Sequence, residues 1–192
     1  MEDLRLFVAG GQQYYGPTAE RDKNVVALTA QRLFEAIGDT IEVVTGGMSG
    51  IPEEFAIAWK QAGGTRILCV VSSEHETTFL ERNTHNFKHV VIGESQEKRR
   101  IAVTQLPGIK CAFVVQGGKY TTHELQLLTQ RGDVPIVAHW GSGGAAGGTQ
   151  PYDGWVFQQK PDNLTITSDD PLESPEAISD ALTEKIKFHF HP

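Results

Sequence analysis

Short, continuous apolar runs alternate with amphipathic stretches along most of the chain. The apolar runs lie at 4–9, 41–45, 66–71, 89–92, 111–115 and 135–138, with a shorter edge candidate at 164–167. Because these runs do not alternate with polar residues, they predict strands buried on both faces, as in a parallel sheet. Apolar residues at helical spacing predict helices over 19–37, 52–62, 95–106, 120–130 and 175–188. The pattern therefore predicts an α/β fold, a doubly wound, mostly parallel sheet with helices on both faces of the Rossmann-like type.

Length and charge narrow the class of protein. The 192 residues suit one domain over 1–192, with a glycine-rich loop at 141–154 and a C-terminal helix at about 175–188. The 17 basic and 24 acidic residues give a net charge of −7, which disfavours binding to nucleic acid or to an anionic membrane. No apolar run reaches the length of a membrane span, and the first residues lack the apolar core of a signal peptide. We therefore expect a cytoplasmic protein with no nucleic-acid or membrane partner.

Glycine pairs follow three of the predicted strands. The candidate ligand-binding residues in and beside these pairs are Gly10, Gly11, Gly46, Gly47, Ser49, Gly50, Gly117 and Gly118. In a doubly wound sheet, ligands bind beyond the carboxyl ends of the strands, where bare main-chain amides and helix starts attract anions. The expected ligand is therefore a nucleotide or a sugar phosphate. The alternative is that the glycines only turn the chain, and neither the dinucleotide fingerprint nor the Walker lysine is present.

Histidine spacing gives no support for a metal centre. His85 and His89 are four residues apart, and His189 and His191 flank Phe190, but neither pair has a third ligand at metal spacing. We expect no metal and no bound cofactor.

Three segments carry a family resemblance: GGMSGIPEEF at 46–55, ESQEKRR at 94–100 and QGGKYTTHE at 116–124. Together they resemble the Lonely Guy (LOG) family, often labelled lysine decarboxylases, and the wider superfamily of LOG-like Rossmann domains that includes cofactor carriers and nucleotide sensors. The residues that match the family motifs Pro-Gly-Gly-x-Gly-Thr-x-x-Glu and Ser-Met-x-x-Arg-Lys are Gly117, Gly118, Thr121, Glu124, Ser95, Arg99 and Arg100. Gly46, Gly47 and Gly50 resemble the family's second glycine turn. The departures are Gln116 in place of the proline, Tyr120 in place of the third glycine, Gln96 in place of the methionine, and Glu53 where the family has a small residue facing the phosphate-side turn.

The resemblance implies an enzyme that hydrolyses the N-glycosidic bond of a nucleoside 5′-monophosphate. Glu124 would stabilise the positive charge that develops on the ribose, and Arg99 would contact the ribose or the leaving base. The phosphate would be held by Arg100, Thr121, Thr122 and the main-chain amides of the glycine loop. The resemblance also implies a homodimer or a higher homo-oligomer.

Other interpretations of these residues remain open. Thr121 and Glu124 also form the sequence pattern of a helix capping box, and Lys98-Arg99-Arg100 is also typical of a solvated helix face. His123 could act as an acid or be an exposed histidine. The departures from the family motifs support a second hypothesis, a sensor or carrier that binds a nucleotide or cofactor without turnover. The loop at 141–154 could be a lid, with Tyr152 or Trp155 stacking on a base, or a plain connection.

Overall fold

The strands form one parallel sheet. A computed structural model describes residues 3–147, 162–166 and 173–190. Within them the strands are β1 (Arg5–Gly10), β2 (Glu42–Thr45), β3 (Ile67–Val71), β4 (Lys88–Val91), β5 (Ile109–Val115), β6 (Ile136–His139) and β7 (Leu164–Ile166). Their order across the sheet is β4-β3-β2-β1-β5-β6-β7, and every neighbouring pair is parallel. The predicted parallel α/β architecture is confirmed.

Helices cover both faces of this sheet. They are α1 (Ala19–Ile37), α2 (Ile51–Gln61), α3 (Glu76–Arg82), α4 (Gln96–Thr104), α5 (Lys119–Arg131) and α6 (Pro175–Lys187). Apolar side chains of α1, α2 and α6 pack with Leu6 and Val8 of β1 on one face, whereas those of α4 and α5 pack with Phe7 and Ala9 on the other. Because successive side chains of a strand point to opposite faces, both faces of β1 must be apolar. This explains why the strands read as continuous apolar runs.

The polar stretch 72–88 shows no hydrophobic period in its sequence. It contains a short 3₁₀ turn, Ser73–His75, followed by α3. Phe79 is the buried residue of α3, and a single apolar anchor produces no helical period. None of the helices in the described ranges is long and apolar enough to cross a membrane.

The reversal of strand order creates a crevice at the centre of the sheet. β1 lies between β2 and β5, and the chain leaves β1 and β5 towards helices on opposite faces. The three glycine pairs follow β1, β2 and β5, which are adjacent parallel strands. All three pairs therefore lie on the same edge of the sheet.

Candidate functional site

A cavity of about 530 Å³ opens at the carboxyl edge of β1, β2 and β5. Its volume lies within the range of small-molecule sites. The sequence-predicted residues on its wall are Gly10, Gly11, Gly46, Arg99, Arg100, Gly118, Thr121 and Glu124. Those that do not lie on the wall are Gly47, Ser49, Gly50, Gly117 and Thr122. The fold therefore brings both predicted catalytic residues together with one or both glycines of each pair.

Arg99 and Glu124 form a buried ion pair on the wall of this cavity. Arg99 comes from the first turn of α4 and is 4% exposed, and Glu124 comes from the second turn of α5 and is 7% exposed. The Nη2 atom of Arg99 donates to Oε1 of Glu124 over 3.2 Å. Burial raises the pKa of Glu124, although the positive charges of Arg99 and Arg100 oppose that rise. Burial lowers the pKa of Arg99.

Two of the three nitrogens of the Arg99 guanidinium have no hydrogen-bond acceptor among the described residues. These two nitrogens are Nε and Nη1, and both are buried. A side chain at Gly46 would overlap Nη1 of Arg99, so the bare Cα of Gly46 makes the room that the guanidinium occupies. Buried donors without partners are rare in folded proteins, and each one calls for an explanation. A ligand anion in the cavity would supply the missing acceptor.

The starts of α2 and α4 at this edge already have internal partners. At α2, the Ile51 amide donates to the Gly11 carbonyl over 3.0 Å, and the next residue, Pro52, has no N–H. At α4, the amide of Gln96 donates to the Glu74 carboxylate and that of Lys98 to the Ser95 hydroxyl. The turn at 46–50 therefore allows close packing of the main chain against the β1–α1 loop, since a side chain at Gly50 would overlap the Gly11 and Gln12 carbonyls.

The start of α5 differs from both. Its N-cap residue is Gly118, which makes no side-chain cap, and the first amides of a helix have no partner within the helix itself. Gly118, Tyr120 and Thr121 all line the cavity beside Arg99. Partial positive charge at this helix start and the guanidinium therefore face the same space.

The capping-box interpretation of Thr121 and Glu124 is wrong. The N-cap position is Gly118, so Thr121 lies inside the first turn, where its hydroxyl donates to the Gly10 carbonyl over 3.2 Å. Glu124 uses its carboxylate on Arg99 instead. The solvated-face interpretation holds for Lys98, which is exposed and paired with Glu94, but fails for the buried Arg99 and Arg100. His123 is half-buried and does not lie on the cavity wall.

A second buried polar cluster, which sequence reasoning missed, lies behind the β5–α5 loop. The Asp22 carboxylate of α1 is fully buried and accepts hydrogen bonds from the Thr18 hydroxyl and the Gln116 side-chain amide, both over 2.8 Å. Its other oxygen lies 3.2 Å from Nε2 of His139. Gln116 also exchanges two hydrogen bonds with the main chain of Tyr15. His139, a polar residue at the end of the apolar run of β6, was a signal in the sequence, whereas Asp22 lies among other charged residues at the start of α1.

Gln116 explains the first departure from the family motif. Its φ is +50°, a left-handed conformation that proline cannot adopt, because the proline ring fixes φ near −65°. The side-chain bonds of Gln116 to Asp22 and Tyr15 hold this unusual backbone in place. The loop that leads into α5 therefore follows a different path from one that begins with proline.

The first half of the glycine-rich loop is hydrogen-bonded to the β5–α5 loop. The amides of Ala145 and Ala146 donate to the carbonyls of Gly117 and Gln116 over 2.8 and 3.0 Å. The Ser142 hydroxyl accepts from the Gln116 amide over 2.9 Å. Residues 141–147 thus support the β5–α5 loop, whereas Tyr152 and Trp155 lie outside the described residues.

The remaining departures have different surroundings. Tyr120 is 54% exposed at the rim of the cavity. Glu53 does not line the cavity, and its carboxylate accepts from Arg82 of α3 over 3.4 Å. A larger side chain at position 53 therefore leaves the site open. Gln96 lies on the cavity wall at the start of α4.

Comparison with known proteins supports the fold. No family model matches the sequence, and no curated protein matches it by sequence. The solved structure of TM1055 is similar with a TM-score of 0.64 at 17% identity, over 94% of this chain and 99% of that one. The molybdenum cofactor carrier protein of Chlamydomonas reinhardtii gives 0.62 at 18% identity, over 96% and 99%. DNA processing protein A of Helicobacter pylori, a single-stranded DNA binder, gives 0.53 at 12% identity, over 97% and 82%.

These similarities extend over nearly the whole of this chain. The Rossmann-type fold expected from the LOG-like superfamily, and shared here with a cofactor carrier, is confirmed. A DNA-binding protein also has this fold, so the absence of a nucleic-acid partner stays a prediction drawn from the acidic composition.

Proposed function

We propose that the cavity binds a small phosphate-bearing ligand of the nucleotide or sugar-phosphate class. The observation that carries this proposal is the Arg99 guanidinium, which is buried on the cavity wall with two nitrogens lacking partners among the described residues. The uncapped start of α5 adds amide donors beside it. Charge-assisted hydrogen bonds to a phosphate are stronger than neutral ones, and a helix start complements the same charge.

The proposed activity is reversible binding, as in a carrier or sensor. Hydrogen bonds from the Gln116 side chain to Asp22 and Tyr15 support the β5–α5 loop from behind the cavity, which suits a preformed binding site. The structural similarity to a molybdenum cofactor carrier protein supports this version of the proposal. A homo-oligomer and a cytoplasmic location stay predictions, and light scattering on the purified protein tests the first of them.

Calorimetric titration with adenosine 5′-monophosphate tests the binding site. We expect binding by the intact chain and a loss of at least about tenfold in affinity for the Arg99→Met variant, because the guanidinium is the principal anion partner. Lys98→Met is the matched control, since Lys98 is the neighbouring cation on α4 but points to solvent and pairs with Glu94. Equal affinities for the Arg99 and Lys98 variants, or no binding by the intact chain to either a nucleoside monophosphate or ribose 5-phosphate, would contradict the proposal.

Hydrolysis of the N-glycosidic bond is a second candidate function. It is favoured by Glu124, a carboxylate on the cavity wall next to the proposed phosphate partner. As a carboxylate, the form that its ion pair with Arg99 favours, Glu124 could stabilise positive charge on the ribose.

Chromatographic measurement of free base separates the two functions. A hydrolase would release adenine from adenosine 5′-monophosphate, and Glu124→Gln would abolish the release while the ligand still binds. A carrier would bind the same nucleotide and release no base over many hours at high protein concentration. Glu94→Gln serves as the control for hydrolysis, because Glu94 is an exposed carboxylate beside α4 that does not line the cavity.

A further inference from the structure

Tyr120 is a large aromatic side chain at the rim of the cavity. It lies in the first turn of α5, directly beyond the uncapped Gly118, and more than half of its surface is exposed. Aromatic side chains usually bury most of their surface, so exposure beside a binding cavity is informative. A glycine at this position, as in the family motif, would leave the rim without an aromatic surface.

The Arg100 guanidinium fixes the position of this ring. The Cζ atom of Arg100 lies 4.4 Å from the centre of the Tyr120 ring, and Arg100 itself is only 7% exposed. The Nε atom of Arg100 has no hydrogen-bond partner among the described residues, so contact with the ring is a main interaction of this side chain. The Lys119 ammonium is also 4.9 Å from the ring centre, on an exposed and flexible side chain that can move aside. A planar guanidinium stacked on an aromatic ring forms a flat, rigid surface.

The rest of the rim offers groups that can contact a heterocycle. Gln12 and Gln96 line the same cavity; the Gln96 side-chain nitrogen donates to the Met48 sulfur over 3.5 Å, and its carbonyl oxygen can accept a hydrogen bond. Met48, also on the wall, has a polarizable thioether that contacts aromatic rings favourably. The cavity therefore has the positive charge of Arg99 on its wall and, at its rim, groups that can contact a flat ring.

We propose that Tyr120, held by Arg100, stacks against the planar heteroaromatic ring of the ligand and makes the site select a nucleotide over a sugar phosphate. This inference rests on the phosphate site proposed above, because the phosphate at Arg99 places the ring at the rim. Stacking of a base on an aromatic side chain is worth a factor of about 10 or more in affinity.

Titration of three ligands into three proteins tests the inference. The ligands are adenosine 5′-monophosphate, ribose 5-phosphate and adenosine, and the proteins are the intact chain, Tyr120→Phe and Tyr120→Leu. We expect the intact chain to bind the nucleotide about tenfold more tightly than ribose 5-phosphate. Tyr120→Leu should remove this preference by weakening the nucleotide alone, whereas Tyr120→Phe, which keeps the ring, should retain it. Thermal unfolding checks that each variant folds, as expected for an exposed position.

The outcomes separate this inference from the proposed function. If the nucleotide and ribose 5-phosphate bind equally well and Tyr120→Leu changes neither, stacking is overturned and the phosphate site stands. If Tyr120→Leu weakens both ligands equally, Tyr120 has no role in selectivity and the inference fails. If adenosine binds in a Tyr120-dependent way and ribose 5-phosphate does not bind at all, stacking stands and the phosphate site fails. Absence of binding by all three ligands overturns both.

Discussion

Two buried polar clusters lie on either side of the β5–α5 loop, and they differ in how completely they are hydrogen-bonded. In the cluster behind the loop, both oxygens of the Asp22 carboxylate have protein partners, namely Thr18, Arg21, Gln116 and His139. In the cluster on the cavity side, one nitrogen of the Arg99 guanidinium donates to Glu124, and the other two have no partner among the described residues. Both clusters are shielded from water, so the difference is one of pairing and not of exposure.

The difference distinguishes a cluster that fixes the backbone from one that binds a ligand. A buried polar group without a partner costs about 1–3 kcal/mol, more when it is charged, so folding alone favours the fully paired arrangement. The Asp22 cluster follows that rule and holds the β5–α5 loop in place. The Arg99–Glu124 pair departs from it at the place where the cavity lies. Variants in the two clusters should therefore change different quantities, stability in the first and affinity in the second.

The largest effect is expected from Asp22→Ala. The substitution removes the acceptor shared by the Thr18 hydroxyl and the side-chain amide of Gln116. It also leaves the facing His139 without its carboxylate partner. We expect the free energy of unfolding, measured by urea denaturation, to fall by about 3–5 kcal/mol. Asp180→Ala is the control, since that aspartate is exposed on α6. A loss for Asp22→Ala as small as that of the control would mean that the cluster does not hold the loop.

Gln116→Pro should have the next largest effect. Proline cannot adopt the φ of +50° seen at this position. The substitution also removes the main-chain N–H of residue 116, which donates to the Ser142 hydroxyl. We expect the free energy of unfolding to fall by about 3 kcal/mol or more. Gln116→Gly is the matched control, because glycine accepts the left-handed backbone and loses only the side-chain bonds to Asp22 and Tyr15. A proline variant as stable as the glycine variant would show that the loop can follow the family path.

The sequence was informative where one short-range pattern determines one structural outcome. Continuous apolar runs gave the buried strands, and glycine pairs after β1, β2 and β5 gave the edge on which the cavity opens. Arg99 and Glu124 could be placed because both occupy motif positions. Their pairing could not be, since it depends on how α4 and α5 pack side by side.

The sequence was uninformative where partners are far apart along the chain. Asp22, Gln116 and His139 meet only because α1, β5 and β6 converge behind one loop, and no local period reports such a meeting. The capping-box error has a similar cause: Thr121 and Glu124 have the right spacing, but the helix begins three residues earlier at Gly118. Spacing alone does not indicate which residue starts a helix.

On the cavity side, Gly46→Ala should weaken binding while leaving stability nearly unchanged. The added methyl group would overlap Nη1 of Arg99, and the end of an arginine side chain moves more easily than main chain. We expect affinity for adenosine 5′-monophosphate to fall by about tenfold, with a change in the free energy of unfolding below about 1 kcal/mol. Calorimetric titration and urea denaturation measure the two quantities. In an Arg99→Lys background the same methyl group meets no guanidinium, so an undiminished effect there would contradict this mechanism.

The smallest effect expected is a pH dependence of stability that comes from Glu124. Because burial raises the pKa of Glu124 in the folded protein, the folded state favours the protonated carboxyl more than the unfolded state does. The contribution of Glu124 to stability is therefore fully present below its ordinary pKa of 4.5 and is lost as the pH rises through the raised value. Urea denaturation between about pH 4 and 8 measures this trend. Relative to the Glu124→Gln variant, the intact chain should become progressively less stable as the pH increases.

Glu94→Gln provides a control of opposite sign. Glu94 is exposed, and its hydrogen bond with Lys98 lowers its pKa, so any stability that it contributes is present at neutral pH and lost in acid. If the Glu124 comparison followed the same direction as the Glu94 comparison, the charges of Arg99 and Arg100 would outweigh burial at Glu124. The cavity-side cluster would then be an ordinary, well-compensated ion pair, and the contrast with the Asp22 cluster would rest on the unpaired nitrogens of Arg99 alone.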